Sequence, residues 1–379
     1  MSAPRLLMVL NDAPFFVTHR LPVALAARDA GVEVHVAAPY EAAAVDVIRR
    51  AGLHHHDIPL KRGARRVGGE LALIAALWRI VGAVKPDLLH AVTMKPVLYA
   101  GLVARVRRVP AVTHAITGLG YLFLIDGLAA RIQRAIVKRL YRFALRHPNA
   151  VAIFQNPDDL DLFRTNQLVD PAITVMIRGC GVDMNTFAQQ PEPEGKPVVV
   201  FPARVLGDKG VHEFVAAARQ LHDRADFILV GRTDPDNPTD VGEDGIRAWE
   251  REGIVTWQGF SKDMPAALAQ ANIICMPSYR EGLPRVLIEA AATGRAIVAT
   301  DVPGCREIVR DGDNGLLVPA RDGPATAAAV ERLLDDPSLR ARFAARGRAR
   351  AEAEFSVELF IVQSLDAYRR VSPASFPTP

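Results

Sequence analysis

Cysteine is scarce in this chain: Cys180, Cys275 and Cys305 are the only three in 379 residues, and they stand far apart. An odd, scattered set argues against a disulfide framework and fits a reduced cytoplasm. None lies in a Cys-x-x-Cys or Cys/His spacing, so no zinc site is indicated. Long hydrophobic runs are missing too. A membrane span needs about 18 uninterrupted apolar residues, and the longest candidate, 71–84, is broken by Arg79. The start, MSAPRLLMVLNDAPFF, holds five apolar residues between Arg5 and Asn11 and no signal-type core. We therefore expect no secretory leader. A dinucleotide fingerprint is also absent, because Thr117-Gly118-Leu119-Gly120-Tyr121 lacks its third glycine.

What is present is globular. Half of the residues are hydrophobic and 23% are charged, and the length predicts two domains. The net charge of +4 conceals an asymmetry: residues 1–190 carry 23 Lys/Arg against 14 Asp/Glu, and the remainder 23 against 28. A basic half joined to an acidic half points to an anionic partner for one of them.

Short apolar runs alternate with helical stretches along the whole chain. Leu6–Leu10, Glu33–Ala38, Asp87–Ala91, Ala111–Ile116 and Val151–Gln155 read as strands, with helices at Val23–Ala30, Glu41–Ala51, Glu70–Val84 and Val97–Val106. This rhythm predicts an α/β fold with parallel sheets covered on both faces. The polar, proline-rich stretch 189–197 reads as a linker. It divides the chain into domains 1–188 and 198–355, with a last helix at 356–372 crossing back to the first. Ligands of such sheets gather at the carboxyl ends of the strands.

The densest stretch for chemistry is 277–315. Pro284 suits the first turn of a helix. The helix it opens, Val286 to Ala292, is apolar nearly all round and therefore buried. Glu289 on that helix needs a partner or a ligand, since a lone buried carboxylate is costly. Free N–H groups near Gly282 and Leu283 would suit an anion. Arg204 and Lys209 follow another strand end, where two fixed cations could neutralise a diphosphate without a metal. Each has a plainer reading: one satisfied Glu, two surface cations.

Three further features tempt a stronger reading. His54-His55-His56 alternate faces along a strand and read as a solvated edge rather than a metal site. Asp159-Leu160-Asp161 follows Asn156-Pro157 and reads as the acidic first turn of a helix, not a metal-binding pair. The helix 128–147 sets Ile132, Ile136, Val137, Leu140, Phe143 and Ala144 on one side. It carries Arg131, Arg134, Lys138, Arg139, Arg142 and Arg146 with no acid opposing them. Such a helix is either a solvated face or a surface for anionic lipid. The uncharged run Tyr121–Ile125 beside it favours lipid.

The spacing Glu281 to Glu289, with Gly294, the strand 296–300 and the segments Val302–Val309 and Asp313–Pro319, resembles the E-x7-E signature of the family-4 retaining glycosyltransferases. The resemblance implies the GT-B architecture: two Rossmann-like parallel-sheet domains facing across a cleft. It implies a nucleotide-sugar donor, UDP-linked, as substrate, with no cofactor and no metal. Glu281 would meet the donor sugar, Glu289 the ribose hydroxyls, and Arg204 and Lys209 the diphosphate. Thr18–Pro22, Thr93–Pro96 with Gly101, Thr117–Gly120, Phe154–Asn156 with Asp159, and Gly179–Asp183 are similar to one subgroup. Its members extend a sugar carried on polyprenyl diphosphate at the cytoplasmic face of the membrane. The expected partners are then a lipid-linked saccharide and an anionic membrane surface, with no nucleic acid. Many members carry a His where this chain has Thr117-Gly118, so His19, or alternatively His90, is the candidate for that role. A transferase with a soluble acceptor, a sugar-nucleotide epimerase and a non-catalytic binding protein remain open alternatives.

Overall fold

Short runs of three to six residues, mostly apolar, become the strands of two parallel sheets, as described by a computed structural model covering residues 3–60, 67–117, 128–372 and 376. The chain forms two units, Met1–Cys180 with Glu358–Pro379, and Gly181–Val357.

The first unit runs β1 (Arg5–Val9), α1 (Ala13–His19), α2 (Leu21–Asp29), β2 (Glu33–Ala37), α3 (Ala42–Arg50), β3 (His54–His56) and α4 (Val67–Val84). It continues with β4 (Leu88–Val92), α5 (Met94–Arg107), β5 (Ala111–Ile116), α6 (Leu128–Leu145), β6 (Ala150–Phe154), α7 (Pro157–Thr165) and β7 (Thr174–Met176). The strand order is β3-β2-β1-β4-β5-β6-β7. Leu6 and Met8 of β1 face one apolar core with Phe16, Val23 and Ile48; Leu7 and Val9 face the other with Leu77, Val97 and Tyr141. Covering both faces is what lets these strands read as unbroken apolar runs. The order reverses at β1, where β2 and β4 flank it, so the carboxyl ends of β1 and β4 form a switch point.

Two helices, not one, fill 13–29. Asp12 accepts from the Phe15 amide and Pro14 sits in the first turn, which starts α1 before the expected helix. Helix α5 likewise starts three residues earlier than expected, because Pro96 lies in its first turn, where a missing N–H costs little.

The second unit runs β8 (Val198–Phe201), α8 (Val211–Leu221), β9 (Asp226–Val230), α9 (Gly242–Arg251), β10 (Thr256–Gly259), α10 (Met264–Ala269) and β11 (Ile273–Met276). It then adds α11 (Arg285–Thr293), β12 (Ala296–Thr300), α12 (Cys305–Ile308), β13 (Leu316–Val318), α13 (Gly323–Asp335) and α14 (Pro337–Glu354). Its order is β10-β9-β8-β11-β12-β13. The last helix, α15 (Val357–Val371), buries Phe360, Leu365 and Tyr368 in the first unit's core.

The stretch read as a linker is fastened within the second unit. Gln190 donates its amide to Thr293 O, Arg295 donates to Gln190 O and Pro191 O, and Arg340 pairs with Glu192 at 2.5 Å. The chain instead passes between units at Cys180–Gly181 and returns at Val357–Glu358. A proline-rich run signals irregular backbone, not freedom: here buried Arg295 holds its carbonyls and buried Arg340 its Glu192 carboxylate.

Candidate active site

The second unit brings Lys209 to Glu281 through a glycine. Residues Gly207–Lys209 form a 3-10 turn, and Gly210 with φ 80° hands the chain to α8. A Cβ on Gly210 would stand 2.0 Å from Pro277 O, so only glycine lets the turn lie against the 277–281 loop. The Tyr279 amide donates to Asp208 O at 2.9 Å and fixes the register. Lys209 Nζ then donates to Glu281 Oε1 at 2.6 Å, both side chains largely buried. Beyond them, Tyr279 donates its hydroxyl to Glu213 at 2.8 Å and lies under the Arg321 guanidinium. Burial, and Glu213 next, push that phenol up to about 12.

Helix α11 carries the second carboxylate. It begins at Arg285, one residue later than expected, with Pro284 as an extended N-cap, and it ends on Gly294 in the left-handed region. Glu289 is buried and pairs with Arg285 Nε at 2.7 Å, one turn back. Burial raises its carboxyl above the ordinary value, and the Arg285 charge partly offsets this. The turn at Gly304 lies on Gly282: a Cβ there would meet Gly282 O at 2.5 Å. Leu283 packs its side chain on the apolar cluster beneath.

Arg204, at the end of β8, is not part of the Lys209–Glu281 pair. It is ion-paired with Asp234 of the loop after β9. Neither Asp234 nor Arg285 was singled out in the sequence. The first lies in a polar loop, and only the fold brings it within reach of a residue 30 positions away.

The first unit presents its candidates differently. His19 ends α1, with Nδ1 2.6 Å from Thr18 Oγ1 and its ring stacked on Phe15. His90 is buried in β4, with Nδ1 2.6 Å from the Tyr368 hydroxyl of α15. Burial, and then the Arg20 charge, keep it neutral far below the ordinary histidine value. It is a buried bridge to the C-terminal helix. Lys95, in the first turn of α5, pairs with Glu70 at 2.9 Å. Thr93, just before that helix, has φ 74°.

Asp159 accepts from Asn156 Nδ2 at 3.1 Å while the Asn156 side chain caps the Asp159 amide at 2.8 Å, a reciprocal helix start. His54 and His56 share one face of β3 and meet His35 of β2, with His35 Nδ1 3.0 Å from His56 Nε2. Burial, and then His56, lower His35 to about 4. Among the described residues no three His, Cys, Asp or Glu are grouped to hold a metal ion. On α6, Lys138 donates to Asn166 Oδ1 at 2.7 Å and Arg142 to the carbonyls of Asn166 and Gln167, while Arg131, Arg139 and Arg146 are exposed. Tyr121–Ile125 and Gly118–Gly120 lie outside the described residues.

Two family models match the chain: Glycosyl transferase 4-like over residues 5–156 and Glycosyl transferases group 1 over 183–350. A full-length relative is the N,N'-diacetylbacillosaminyl-diphospho-undecaprenol alpha-1,3-N-acetylgalactosaminyltransferase of Campylobacter jejuni. It is 26% identical, over 96% of this chain and 98% of its own. The alpha-maltose-1-phosphate synthase of Mycolicibacterium smegmatis is 31% identical over 61% of this chain and 65% of its own. Among solved structures, sucrose-phosphate synthase from Thermosynechococcus elongatus matches with a TM-score of 0.79 at 21% identity, covering 98% of this chain and all of its own. Anabaena HepE, solved with UDP and glucose, matches with a TM-score of 0.76 at 19% identity, covering 96% of this chain and 98% of its own. The two-sheet plan is that of the GT-B fold.

Proposed function

The chain belongs to the family-4, group 1 retaining glycosyltransferases of GT-B fold, and on that premise we propose that it moves a hexose or N-acetylhexosamine from a UDP-linked donor to a saccharide carried on polyprenyl diphosphate. The observation that carries the donor half is the Lys209–Glu281 pair at the head of a helix whose next carboxylate is Glu289. Lys209 and Arg204 would take the diphosphate, whose charge grows as the glycosidic bond breaks, and preorganised cations stabilise that charge best. Glu281 would meet the sugar and Glu289 the ribose hydroxyls. No step then requires a metal.

The lipid half is supported by the Campylobacter relative, whose name specifies an undecaprenol-linked acceptor. It is supported again by the α4–α6 layer. Leu71, Trp78, Val106, Ile136 and Phe143 are all exposed there. Arg107 lies over Trp78 and Arg105 over Phe143, at 4.0 and 4.4 Å from the ring centroids. Residues 67–147 hold twelve Lys/Arg against three Asp/Glu. Exposed apolar side chains interleaved with cations suit an anionic bilayer. No helix among the described residues is long and apolar enough to cross one. We read the attachment as peripheral, at the cytoplasmic face.

The test offers UDP- and GDP-sugars with a polyprenyl-diphosphate saccharide in anionic liposomes. Transfer with retention should occur, and Lys209→Ala should lower turnover by about 10²–10³. Near-normal turnover in that variant at saturating donor would remove Lys209 from the site. Equal transfer to a lipid-free saccharide would move the enzyme to the soluble-acceptor class, and an epimerised sugar nucleotide with no transfer would make it an epimerase.

A further inference from the structure

Both cations assigned to the diphosphate are already held by carboxylates, and the two carboxylates are not equivalent. Glu281, which holds Lys209, belongs to the E-x7-E pair and has the donor sugar to meet. Asp234, which holds Arg204, comes from the loop after β9 and has no part in that signature. Its position is nonetheless built. The Val205 amide donates to Arg232 O at 3.0 Å and the Gly207 amide to Thr239 O at 2.7 Å, tying the loop to the strand end that carries Arg204. The Asp234 amide donates to Asp240 Oδ1 at 2.9 Å, and Asn237 closes the turn onto Asp234 O. Gly231 lies so close to the Ala203 carbonyl that a Cβ would stand 1.8 Å from it. Backbone therefore aims the Asp234 carboxylate. The Arg204 side chain, 37% exposed, is the freer member of the pair.

A carboxylate and a phosphate each offer the guanidinium fork a pair of anionic oxygens that can accept both of its parallel N–H bonds. We propose that Asp234 is a place-holder for the donor diphosphate. It neutralises and orients Arg204 in the empty site, yields Arg204 to the phosphate oxygens when donor binds, and recaptures it as the nucleoside diphosphate leaves. Asp234 is on this view a positioning residue that tunes product release, a step that limits many enzymes. The inference rests on the reading that Arg204 meets the diphosphate.

The sign of one substitution separates this role from simple support. An Asp that steadied Arg204 in the bound geometry would weaken nucleotide binding when neutralised. A place-holder competes with the phosphate, so its neutralisation tightens binding. Titration calorimetry with UDP on the parent, Asp234→Asn and Arg204→Ala, with stopped-flow dissociation, tests it. Asparagine keeps the size and one acceptor oxygen, and the site is half-exposed, so folding is expected to survive. We expect Asp234→Asn to bind UDP about tenfold tighter, a shift of about 1.4 kcal/mol, with correspondingly slower release and a lower donor KM. Unchanged or weaker binding in Asp234→Asn, with binding lost in Arg204→Ala, overturns the place-holder and leaves the donor site intact. UDP binding undiminished in Arg204→Ala overturns both.

Discussion

Helix α8 of the second unit and helix α5 of the first are each the first α-helix after a central strand, and both begin on a residue with positive φ. In the second unit that residue is Gly210, which takes φ 80° without strain. In the first it is Thr93, with φ 74° and ψ 167°, a region almost reserved for glycine. A β-branched residue held there costs about 1–3 kcal/mol, and the surrounding fold must impose it. The units differ in their charges as well. The second pairs its strand-end cations with carboxylates: Lys209 with Glu281, Arg204 with Asp234, Arg285 with Glu289. The α4–α6 layer of the first has one such pair, Lys95 with Glu70, but rests Arg105 and Arg107 on aromatic faces and gives Arg142 backbone carbonyls. A net-acidic unit can neutralise its own cations until a ligand displaces the partner. A net-basic unit keeps its field for something outside it.

The largest effect should come from exchanging the two helix starts. Gly210→Ala forces a Cβ into the Pro277 carbonyl and strains the backbone, so it should destabilise the second unit by about 3 kcal/mol. Thr93→Gly relieves strain, less the extra entropy of glycine, and should stabilise the first unit by about 1 kcal/mol. Denaturant unfolding of both variants measures this. If transfer to the lipid-linked acceptor falls while stability rises in Thr93→Gly, the strain serves the acceptor side. A loss of stability in Thr93→Gly would mean that Thr93 makes a contact worth more than its strain.

That pair also marks what the residues disclose on their own. Apolar runs separated by helical periods disclosed both sheets, because strands buried on two faces must be apolar throughout. The E-x7-E spacing disclosed Glu281 and Glu289, because a short loop and the first turns of one helix, adjacent in the chain, carry both. Asp234 and the buried bridge from His90 to Tyr368 were hidden: each depends on a contact between segments 30 to 278 positions apart. The need for glycine at 210 is invisible in the sequence, since Pro277 comes against it only after the sheet has formed. The fastened stretch 189–197 was misread because composition reports backbone conformation and says nothing of Arg295 and Arg340, which hold it.

Acid should separate the units next. His90 and His114 are fully buried in the first unit. Burial, and then a nearby charge or second histidine, lower both, His114 to about 3. Their folded values lie below the unfolded one, near 6.5. From pH 6.5 downward the unfolded chain therefore takes up protons that the folded chain refuses. Stability is full above 6.5 and declines as pH falls, until the folded values are reached. Each histidine contributes about 1.4 kcal/mol per pH unit once the unfolded form is mostly protonated. Glu289 acts oppositely in the second unit: its raised value means that lowering pH relieves a buried charge. Hydrogen exchange at pH 7 and pH 5.5, read on peptides from β4–β5 and from β11–β12, should show protection lost first in β4–β5. Equal loss in both would mean that the histidines are not protected from protons as their burial implies.

The smallest effect divides the basic helix α6 against itself. Its five cations have different uses: Lys138 and Arg142 hold the turn at Asn166–Gln167, whereas Arg131 and Arg139 stand exposed. A basic residue facing anionic lipid adds about 1 kcal/mol, or about fivefold in partitioning, screened by salt. Arg131→Ala and Arg139→Ala should each weaken binding to anionic liposomes by about that factor at low salt, leave neutral liposomes unbound, and leave thermal stability unchanged. Lys138→Ala and Arg142→Ala should do the reverse, lowering stability through lost contacts to the 166–167 turn while changing partitioning little. Trp78→Ala should weaken partitioning without a salt dependence, since its exposed ring would act by burial and not by charge. If the exposed and the bonded cations change partitioning equally, lipid senses only the net charge of the unit. The orientation suggested by the α4–α6 layer would then have no support, because a surface that docks in one orientation must weigh its cations by position.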